Sequence, residues 1–396
     1  SSCEFKADKL ERESGKKCGF RECWKEAYNW QEQDFEKGSV LDIWRFLKKD
    51  QMRAQGYIHI EDIDEDVISP SEDGKPGLST KQRQWLQVQK GRDNDNSLWI
   101  DRESLSEEMG NWRYPLHLID FETSMVAIPF NRGRRPYEGI AFQFSHHTIK
   151  EDGKVGHSDE YLHVTPGEFP DYEFLRTLMT ALNGDHGSIF LYADHENSYL
   201  NLIYRQLLED PRDIPDRNEL MAFIRSITRS TQDAADEWEG NRCMIDLLEL
   251  VKRYCYDPCT RGKNSIKQIL PSILNRSTEL KEKYSMPIYG AQGGIKSMNF
   301  KDWTWVQLDD EKVIDPYNLL PKMFQDIDEN DQKFLFSDVD ELKEGGAAMT
   351  AYARLQFEEL SDYEREEIET ALLKYCELDT MAMVMIVEGW YQLLLR

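Results

Sequence analysis

A segment of alternating character at residues 116–123 constrains the fold more than any other feature of the sequence. It reads Leu-His-Leu-Ile-Asp-Phe-Glu-Thr, and its apolar residues are typical of a strand inside a sheet. Side chains alternate between the faces of a strand, so Asp120 and Glu122 point to one face and the apolar residues beside them to the other. Two such carboxylates repel each other, and a bound cation would relieve the repulsion. The alternative is a strand edge at which both acids are solvated.

The residues after Tyr114 predict a mixed α/β fold. The expected strands are at 116–123, 140–146, 160–164 and 188–193. The expected helices are at 169–182, from Glu196, near Glu219, from Ile245 and, closing the chain, at 364–395. Strands followed and interrupted by helices in this order are typical of a sheet with helices packed against it.

Residues 1–112 are expected to form a smaller, mostly helical region, and residues 113–396 the main domain. One helix is predicted at 79–89, and another after Ser39, where the spacing i, i+3, i+4, i+7 is occupied by Val40, Ile43, Trp44 and Leu47. The chain begins Ser-Ser-Cys, from which we expect a trimmed piece of a longer chain. The first region is expected to be the tail of a missing upstream domain plus a linker.

Charge limits the ways in which this chain can meet a polyanion. The sequence carries 74 acidic and 49 basic side chains, which gives a net charge of −25. A field of this sign repels phosphate, so contact with nucleic acid needs a local basic groove or bound metal ions. This excludes a simple nucleic-acid coating protein. It is compatible with a nuclease whose acids bind metal and maintain solubility.

Membrane insertion and secretion are not expected. The apolar stretches are short, and no basic segment followed by an apolar one opens the sequence. Seven cysteines, an odd number at irregular spacing, favour a reducing cytoplasm over a disulfide framework. Among them, Cys3, Cys18 and Cys23 are either free thiols or the remainder of a metal or iron–sulfur cluster.

Two further segments combine acids with elements that would position them. At Tyr192–Asn197 a strand is expected to pass into a helix, where Asp194 can cap the helix and Glu196 occupies its first turn. In the last helix Tyr375 and Asp379 are four residues apart and therefore share a face. Taken singly, each segment has an ordinary alternative. Asp194 and Glu196 also fit a common helix start, and Tyr375 and Asp379 also fit a buried hydrogen-bonded pair.

Together the three segments resemble the motifs of the DEDD exonucleases. An Asp-x-Glu strand, an acid at a strand-to-helix junction and a Tyr-x-x-x-Asp helix occur in the order seen in the tyrosine branch of this superfamily. Residues 245–250 and 264–267 are similar to a segment that usually follows the second motif. The resemblance implies an RNase H-like mixed sheet flanked by helices. It also implies 3′–5′ exonuclease activity on single-stranded nucleic acid, with DNA favoured.

The resemblance implies a two-metal mechanism. Two Mg²⁺ or Mn²⁺ ions about 3.5–4 Å apart would activate water and hold the leaving oxygen, and hard ions of this kind prefer carboxylate ligands. Asp120 is the implied bridging ligand. The cage is completed by Glu122, Glu196 and Asp379. Tyr375 would orient the attacking water, while the metal does most of the activation because an ordinary phenol has a pKa of about 10.

Several assignments keep alternatives. Typical members offer Asp in the second motif, so Asp194 competes with Glu196 as the ligand. Phosphate contacts are expected from a basic cluster that could instead be a solvated loop: Arg132, Arg134 and Arg135. Lys263 and Lys267 are further candidates. His146 and His147 are expected to be structural or edge residues and not ligands.

From residue 114 to its end, the chain also resembles a bacterial family described as a domain of unknown function. The matching motifs are 115–123, 135–138, 142–145, 195–197 and 375–380. Members often lie C-terminal to a RecB-like nuclease domain with a cysteine cluster, which implies such a domain, or a helicase, as a partner. A ribonuclease and an inactive nuclease-like interaction module stay open as alternatives. The nuclease hypothesis requires that Asp120, Glu122 and Asp379 point to one side.

Overall fold

The computed structural model describes residues 3, 5–7, 9–232, 234, 236–323 and 345–395. The chain divides into two compact units. Unit 1 is Ser1–Leu105 with Leu250–Asn264, and unit 2 is Ser106–Glu249 with Ser265–Arg396. The sequence predicts a single division, after residue 112. In the structure residues 250–264 instead group with the N-terminal unit, where Cys255 and Tyr256 pair with an N-terminal strand.

Unit 1 consists of short helices and turns around a small apolar core. Its helices are α1 (Lys9–Glu13), α2 (Gly19–Tyr28), α3 (Lys49–Ala54), α4 (Glu65–Ile68) and α5 (Thr80–Arg92). Short 3-10 turns occur at Glu32–Phe35, Val40–Asp42, Ile60–Asp62 and Pro258–Thr260. Strand β1 (Trp99–Ile100) is antiparallel to β7 (Cys255–Tyr256). Two helices contain points of division between the units: α6 (Arg102–Gly110) and α10 (Leu247–Tyr254).

The two helices predicted in this unit have different outcomes. The prediction at 79–89 is confirmed by α5. Ser79 caps this helix, since its hydroxyl oxygen accepts a hydrogen bond from the backbone amide of Gln82 at 3.1 Å. The helix predicted after Ser39 is wrong, and only the 3-10 turn Val40–Asp42 forms there. Arg45 adopts a left-handed conformation with φ of 48°, which a right-handed helix does not contain. Leu47 consequently lies outside the core and is 97% exposed.

Arg83 ties residues 250–264 to α5. Its side chain is almost fully buried, at 1% exposure. The guanidinium group donates hydrogen bonds to the carbonyl oxygens of Val251 at 3.1 Å, Lys252 at 2.9 Å and Cys255 at 2.5 Å, and to Oδ1 of Asn264 at 2.7 Å. Each acceptor would lose a buried partner without the guanidinium, which makes Arg83 central to this unit.

We expect Arg83→Met to destabilise unit 1 by at least about 3 kcal/mol, because three carbonyl oxygens lose a buried donor and each such loss costs about 1–3 kcal/mol. Urea denaturation followed by far-ultraviolet circular dichroism measures the change. Lys81→Met, on an exposed position of the same helix, is the control and should change stability by less than about 0.5 kcal/mol. Equal effects of the two substitutions would contradict this role of Arg83.

Unit 2 is built on a five-stranded mixed sheet, the α/β class that the sequence predicts. The strands lie in the order β4 (Val155–Leu162), β3 (Ile140–Ile149), β2 (Leu116–Ser124), β5 (Ile189–Leu191) and β6 (Ile245–Asp246). Pairs β2–β3 and β3–β4 are antiparallel, whereas β2–β5 and β5–β6 are parallel. A separate hairpin joins β8 (Leu308–Asp309) to β9 (Lys312–Val313).

Helices cover both faces of this sheet. They are α7 (Asp171–Leu182), α8 (His195–Glu209), α9 (Arg217–Ile227), α11 (Ile266–Arg276), α12 (Thr278–Tyr284), α13 (Gly345–Phe357) and α14 (Asp362–Leu395). Ile119 and Phe121 point into an apolar core with α7, α8 and α9. On the opposite face Gln143 Nε2 donates to the carbonyl oxygen of Leu372 at 2.8 Å, so that α14 packs on the face that carries Asp120 and Glu122.

Most of the predicted elements of unit 2 are confirmed within a few residues. The strand predicted at 160–164 lies earlier, at Val155–Leu162. The helix predicted from Ile245 begins at Leu247, because Ile245 and Asp246 pair with β5 as the edge of the sheet. Among the described residues, no helix combines the length and apolar character needed to cross a membrane.

Candidate metal centre on the central sheet

Three carboxylates from two elements meet on one face of the sheet. Asp120 and Glu122 project from β2, and Asp379 projects from α14. Each offers an oxygen atom, and these atoms lie within 4.8 Å of one another. Glu122 and Asp379 are each 7% exposed. The requirement that the three acids point to one side is therefore met.

A register shift in β2 and a contact with α14 surround the two acids of this strand. The pairing of β2 with β3 shifts register between Glu122 and Thr123, which re-aims the strand directly after the second acid. The thiol of Cys376, in α14, lies 3.6 Å from the carbonyl oxygen of Asp120 and 3.7 Å from its Oδ2. The strand and the helix thus contact each other at the level of the carboxylates.

The three carboxylates are electrostatically strained. Burial raises the pKa of Asp120 well above its usual range, and the charges of Asp379, Glu196 and Glu122 raise it further. Burial and Asp379 likewise raise the pKa of Glu122. The pKa of Asp379 is raised to about 6, mainly by burial. Buried like charges of this kind are stabilised by a cation between them.

Glu196 is a fourth acid close to this group. It lies in the first turn of α8, is 2% exposed, and its Oε2 has no hydrogen-bond partner among the described residues. Burial raises the pKa of Glu196 to about 8, although the backbone amide of Phe121 in β2 favours its charged form. Glu196 is not within the 4.8 Å group, but its charge raises the pKa values of Asp120 and Glu122.

Asp194, the competing acid of the second motif, has a different environment. Its side chain is 49% exposed and forms an ion pair with Nη2 of Arg229 at 2.8 Å. It occupies the position before α8 but makes no side-chain capping bond. Glu196, buried and with an oxygen unpartnered in the described part of the chain, is therefore the better ligand candidate.

Two tyrosines and a lysine surround the acids. Burial raises the pKa of Tyr375, and the charges of Asp379, Glu122 and Asp120 raise it further. The Tyr317 hydroxyl donates a hydrogen bond to Oδ1 of Asp379. Lys267 Nζ lies 3.1 Å from the Tyr375 hydroxyl and 4.7 Å from the centre of the Tyr317 ring. Its positive charge favours ionisation of Glu122 and Asp379.

Tyr317 and Asp246 were not among the predicted site residues. Asp246 ends β6, accepts the backbone amide of Ala193 at 2.9 Å, and raises the pKa of Glu196 through its charge. Asp246 belongs to the segment 245–250, whose similarity to the segment after the second motif could have indicated it as a site residue. Tyr317 follows an Asp-Pro turn with no motif around it, and only the tertiary structure reveals its contact with Asp379.

The three predicted phosphate-binding arginines lie on the loop between β2 and β3. Arg134 forms an ion pair with Glu138 at 2.9 Å and lies 3.4 Å from the centre of the Phe169 ring, which is a structural arrangement. Arg135 is largely exposed and 3.3 Å from Glu209, and Arg132 is exposed. They line a separate surface cavity to which the three carboxylates do not contribute.

The histidines of β3 and the N-terminal cysteines lie in environments unlike that of the carboxylates. His146 and His147 are buried and hydrogen-bonded, the first to Asp159 at 3.1 Å and the second to Thr380 at 2.8 Å, in keeping with a structural role. Cys18 is buried, where its sulfur accepts the Ala7 amide at 3.3 Å. Within the described residues, the cysteines of this region form no metal-binding group.

A second group of possible ligand atoms lies within 4.8 Å of one another: His157, Glu160 and Glu377. Here Asn299 Nδ2 donates to Glu160 at 2.6 Å and to Glu377 at 2.8 Å. Glu377 also accepts hydrogen bonds from Ser297 and Tyr289. Its burial opposes ionisation, yet these donors and His157 hold its pKa below the usual value. This carboxylate is already satisfied by protein donors, unlike Glu196.

A comparison with known protein families matches part of the chain. Residues 117–265 match the family model described as a domain of unknown function (DUF2779). The match includes Asp120, Glu122 and Glu196 and ends before the helix of Tyr375 and Asp379. It is therefore shorter than the resemblance noted in the sequence. Comparisons with curated proteins and with solved structures gave no match.

The raised pKa of Glu196 predicts that ionisation of this acid lowers the free energy of unfolding of the metal-free protein. With a pKa of about 8 when folded and about 4.5 when unfolded, the cost of ionisation is absent below pH 4.5 and complete above pH 8. We expect Glu196→Gln to raise the free energy of unfolding by up to about 4 kcal/mol near pH 8 and by less than about 1 kcal/mol near pH 5. Urea denaturation in EDTA at both pH values measures this difference.

Asp194→Asn is the matched control, because it removes a carboxylate two residues earlier that is exposed and ion-paired. It should give no stabilisation at pH 8. A Glu196→Gln effect that is the same at both pH values would show that the buried charge is not its cause.

Proposed function

We propose that this chain is a divalent-metal-dependent nuclease with an RNase H-like fold, specifically a 3′–5′ exonuclease of the tyrosine-branch DEDD type. The observation that carries the proposal is the group Asp120, Glu122 and Asp379, whose carboxylate oxygens lie within 4.8 Å of one another. Burial raises the pKa values of all three acids, and the charges of neighbouring acids raise those of Asp120 and Glu122 further. Asp379 accepts a hydrogen bond from Tyr317, yet its pKa stays raised, whereas the pKa of Glu377 is lowered by its donors.

The residues fit Mg²⁺ or Mn²⁺. All four ligand candidates, Asp120, Glu122, Asp379 and Glu196, offer carboxylate oxygen, which these hard ions prefer over nitrogen or sulfur. Glu196 also has a buried oxygen without a hydrogen-bond partner in the described part of the chain. When bound, two such ions would supply an activated water and stabilise charge on the phosphate and on the leaving oxygen.

The chain's own groups would position the reactants. The Tyr375 hydroxyl faces the acids and would orient the attacking water. The raised pKa of Tyr375 keeps its proton in place, so the phenol is a donor and not a base. Lys267, 3.1 Å from that hydroxyl, would orient it and offset the negative charge of the site. These roles suit cleavage of a phosphodiester by water.

Single-stranded nucleic acid, with DNA favoured over RNA, is the proposed substrate. It rests on the order of the three motifs and on no base-reading or sugar-reading feature of the structure. The cytoplasm is the proposed location, and this proposal rests on the odd number and irregular spacing of the seven cysteines. A RecB-like nuclease domain or a helicase is the proposed partner, and it rests on the sequence resemblance.

We expect Asp120→Asn to reduce cleavage at least about 1,000-fold, because the site would lose one of the carboxylates that would hold the metal ions. Tyr375→Phe should reduce kcat about 10- to 100-fold while metal binding is retained. The assay uses 3′- and 5′-end-labelled single-stranded DNA and RNA with Mn²⁺, Mg²⁺ or EDTA, and denaturing gels resolve the products. A ladder that shortens from the 3′ end in metal, and is absent in EDTA, is the expected result.

Asp194→Asn is the control for this assay and should retain activity within a few-fold. Cleavage of RNA alone would favour the ribonuclease alternative. If wild-type protein cleaves neither substrate, and Mn²⁺ does not raise its melting temperature, the inactive interaction module is the better description.

Tyr317→Phe should weaken Mn²⁺ binding about tenfold, because groups that orient a ligand typically contribute this much to metal affinity. Isothermal titration calorimetry of the purified protein measures the effect. The control is Tyr352→Phe, since the buried Tyr352 hydroxyl has no hydrogen-bond partner among the described residues. Unchanged Mn²⁺ affinity in Tyr317→Phe would show that its contact with Asp379 does not orient the ligand.

A further inference from the structure

A concave surface of unit 1 is basic, although the whole chain carries a net charge of −25. Its cavity has a volume of about 270 Å³. Six cationic side chains line it: Lys6, Arg12, Arg21, Lys37, Arg261 and Lys263. Only two carboxylates do so, those of Glu36 and Asp42. We refer to this surface as the basic cleft.

Three cations of the basic cleft are available to a ligand. Arg21 already forms an ion pair with Glu32, and Lys37 forms one with Glu61 at 2.7 Å. In contrast, Lys6, Arg261 and Lys263 are exposed, and within the part of the chain that the structure describes they have no carboxylate partner. Arg261 ends the turn Pro258–Thr260 in a left-handed conformation, with φ of 48°.

Of the two carboxylates, Asp42 is engaged locally. Its Oδ2 accepts hydrogen bonds from the backbone amide of Ser39 at 2.8 Å and from the Ser39 hydroxyl at 3.1 Å. These neutral donors fix the position of Asp42 but leave its charge, and the net charge of the cleft is positive because six cations outnumber two carboxylates. The cleft attracts anions even though the long-range field of the protein repels them, and the attraction is effective only within about 10 Å at 0.1 M salt.

Aromatic rings form another wall of the basic cleft. Phe20 and Trp24 are half-buried and line it, and their ring centroids are 5.8 Å apart. Trp30 also lines it and packs against Trp24 at a centroid distance of 4.4 Å. Lys6 Nζ lies 5.6 Å from the centre of the Phe20 ring. Positive charge beside partly exposed aromatic rings is the combination with which proteins bind single strands, since phosphates contact the cations and bases stack on the rings.

We propose that the basic cleft is a binding site for single-stranded nucleic acid, separate from the carboxylate group of unit 2. Phosphates contact Lys6, Arg261 and Lys263, and a base packs against Phe20 or Trp24. The choice of nucleic acid among polyanions rests on the proposed function. An acidic peptide could pair with the cations, but it would offer no planar base to stack on the aromatic rings.

The test measures binding without catalysis. Fluorescence anisotropy follows a labelled single-stranded oligodeoxynucleotide with the full chain in EDTA, between 0.05 and 0.3 M salt. We expect the double variant Arg261→Gln, Lys263→Gln to bind about tenfold more weakly. The slope of log K against log salt should fall by about 1.4, because two phosphate contacts on a single strand are lost. Both side chains are exposed, and circular dichroism checks that the variant is folded.

The control is the double variant Lys81→Gln, Lys301→Gln, which changes the net charge equally at exposed positions outside the cleft. It should bind within twofold of wild type. Equal weakening by both double variants, or no weakening by either, would overturn the proposal. Competition by polyglutamate as strong as that by unlabelled oligonucleotide would overturn the nucleic-acid assignment.

Failure of this proposal is distinguishable from failure of the proposed function. A chain that binds through the cleft in EDTA but cleaves nothing with metal would retain the cleft and lose the nuclease assignment. A chain that cleaves with metal, and whose binding is insensitive to Arg261 and Lys263, would retain the nuclease assignment and lose the cleft.

Discussion

The enclosure of like charges between β2 and α14 is the constraint on which unit 2 depends. Asp120 and Glu122 share one face of the strand because side chains alternate, and that face is covered by a helix that adds Asp379. Such a packing is unfavourable for ionised acids. It is maintained by the apolar core on the other face of the sheet and by the contacts of Tyr317 and Lys267. A divalent cation would turn the same repulsion into attraction.

Two neighbouring acids of α14 differ in their pKa values because their surroundings differ. Glu377 and Asp379 are two residues apart and both buried. His157 and hydrogen bonds from Ser297 and Tyr289 hold the pKa of Glu377 below its usual value despite burial, so this acid stabilises the fold as a carboxylate. The pKa of Asp379 is instead raised. At the start of α8, Glu196 is likewise buried with a raised pKa, whereas Asp194 is partly exposed and ion-paired with Arg229.

Elements with a strong local signal were predictable, and those that depend on distant contacts were not. The alternation in β2 and the four-residue spacing of Tyr375 and Asp379 indicated their faces correctly. The apolar spacing after Ser39 predicted a helix that does not form. Arg45 adopts a left-handed conformation that interrupts it, and no local pattern in the sequence indicates this conformation. The arginines at 132–135 form an evident basic cluster, but nothing local shows that Arg134 packs on the ring of Phe169 and lies 3.7 Å from Asp210.

The sequence by itself determined the α/β class, the face shared by Asp120 and Glu122, and the helix that carries Tyr375 and Asp379, since these follow from periodicities of two and 3.6 residues. Only the tertiary structure decided that the three acids meet, that Glu196 is buried while Asp194 is ion-paired, and that Tyr317 contacts Asp379. It also brought Lys6 and Lys263 to one cleft. Such pairings join residues far apart in the chain, and no local pattern encodes which distant residues will pack together.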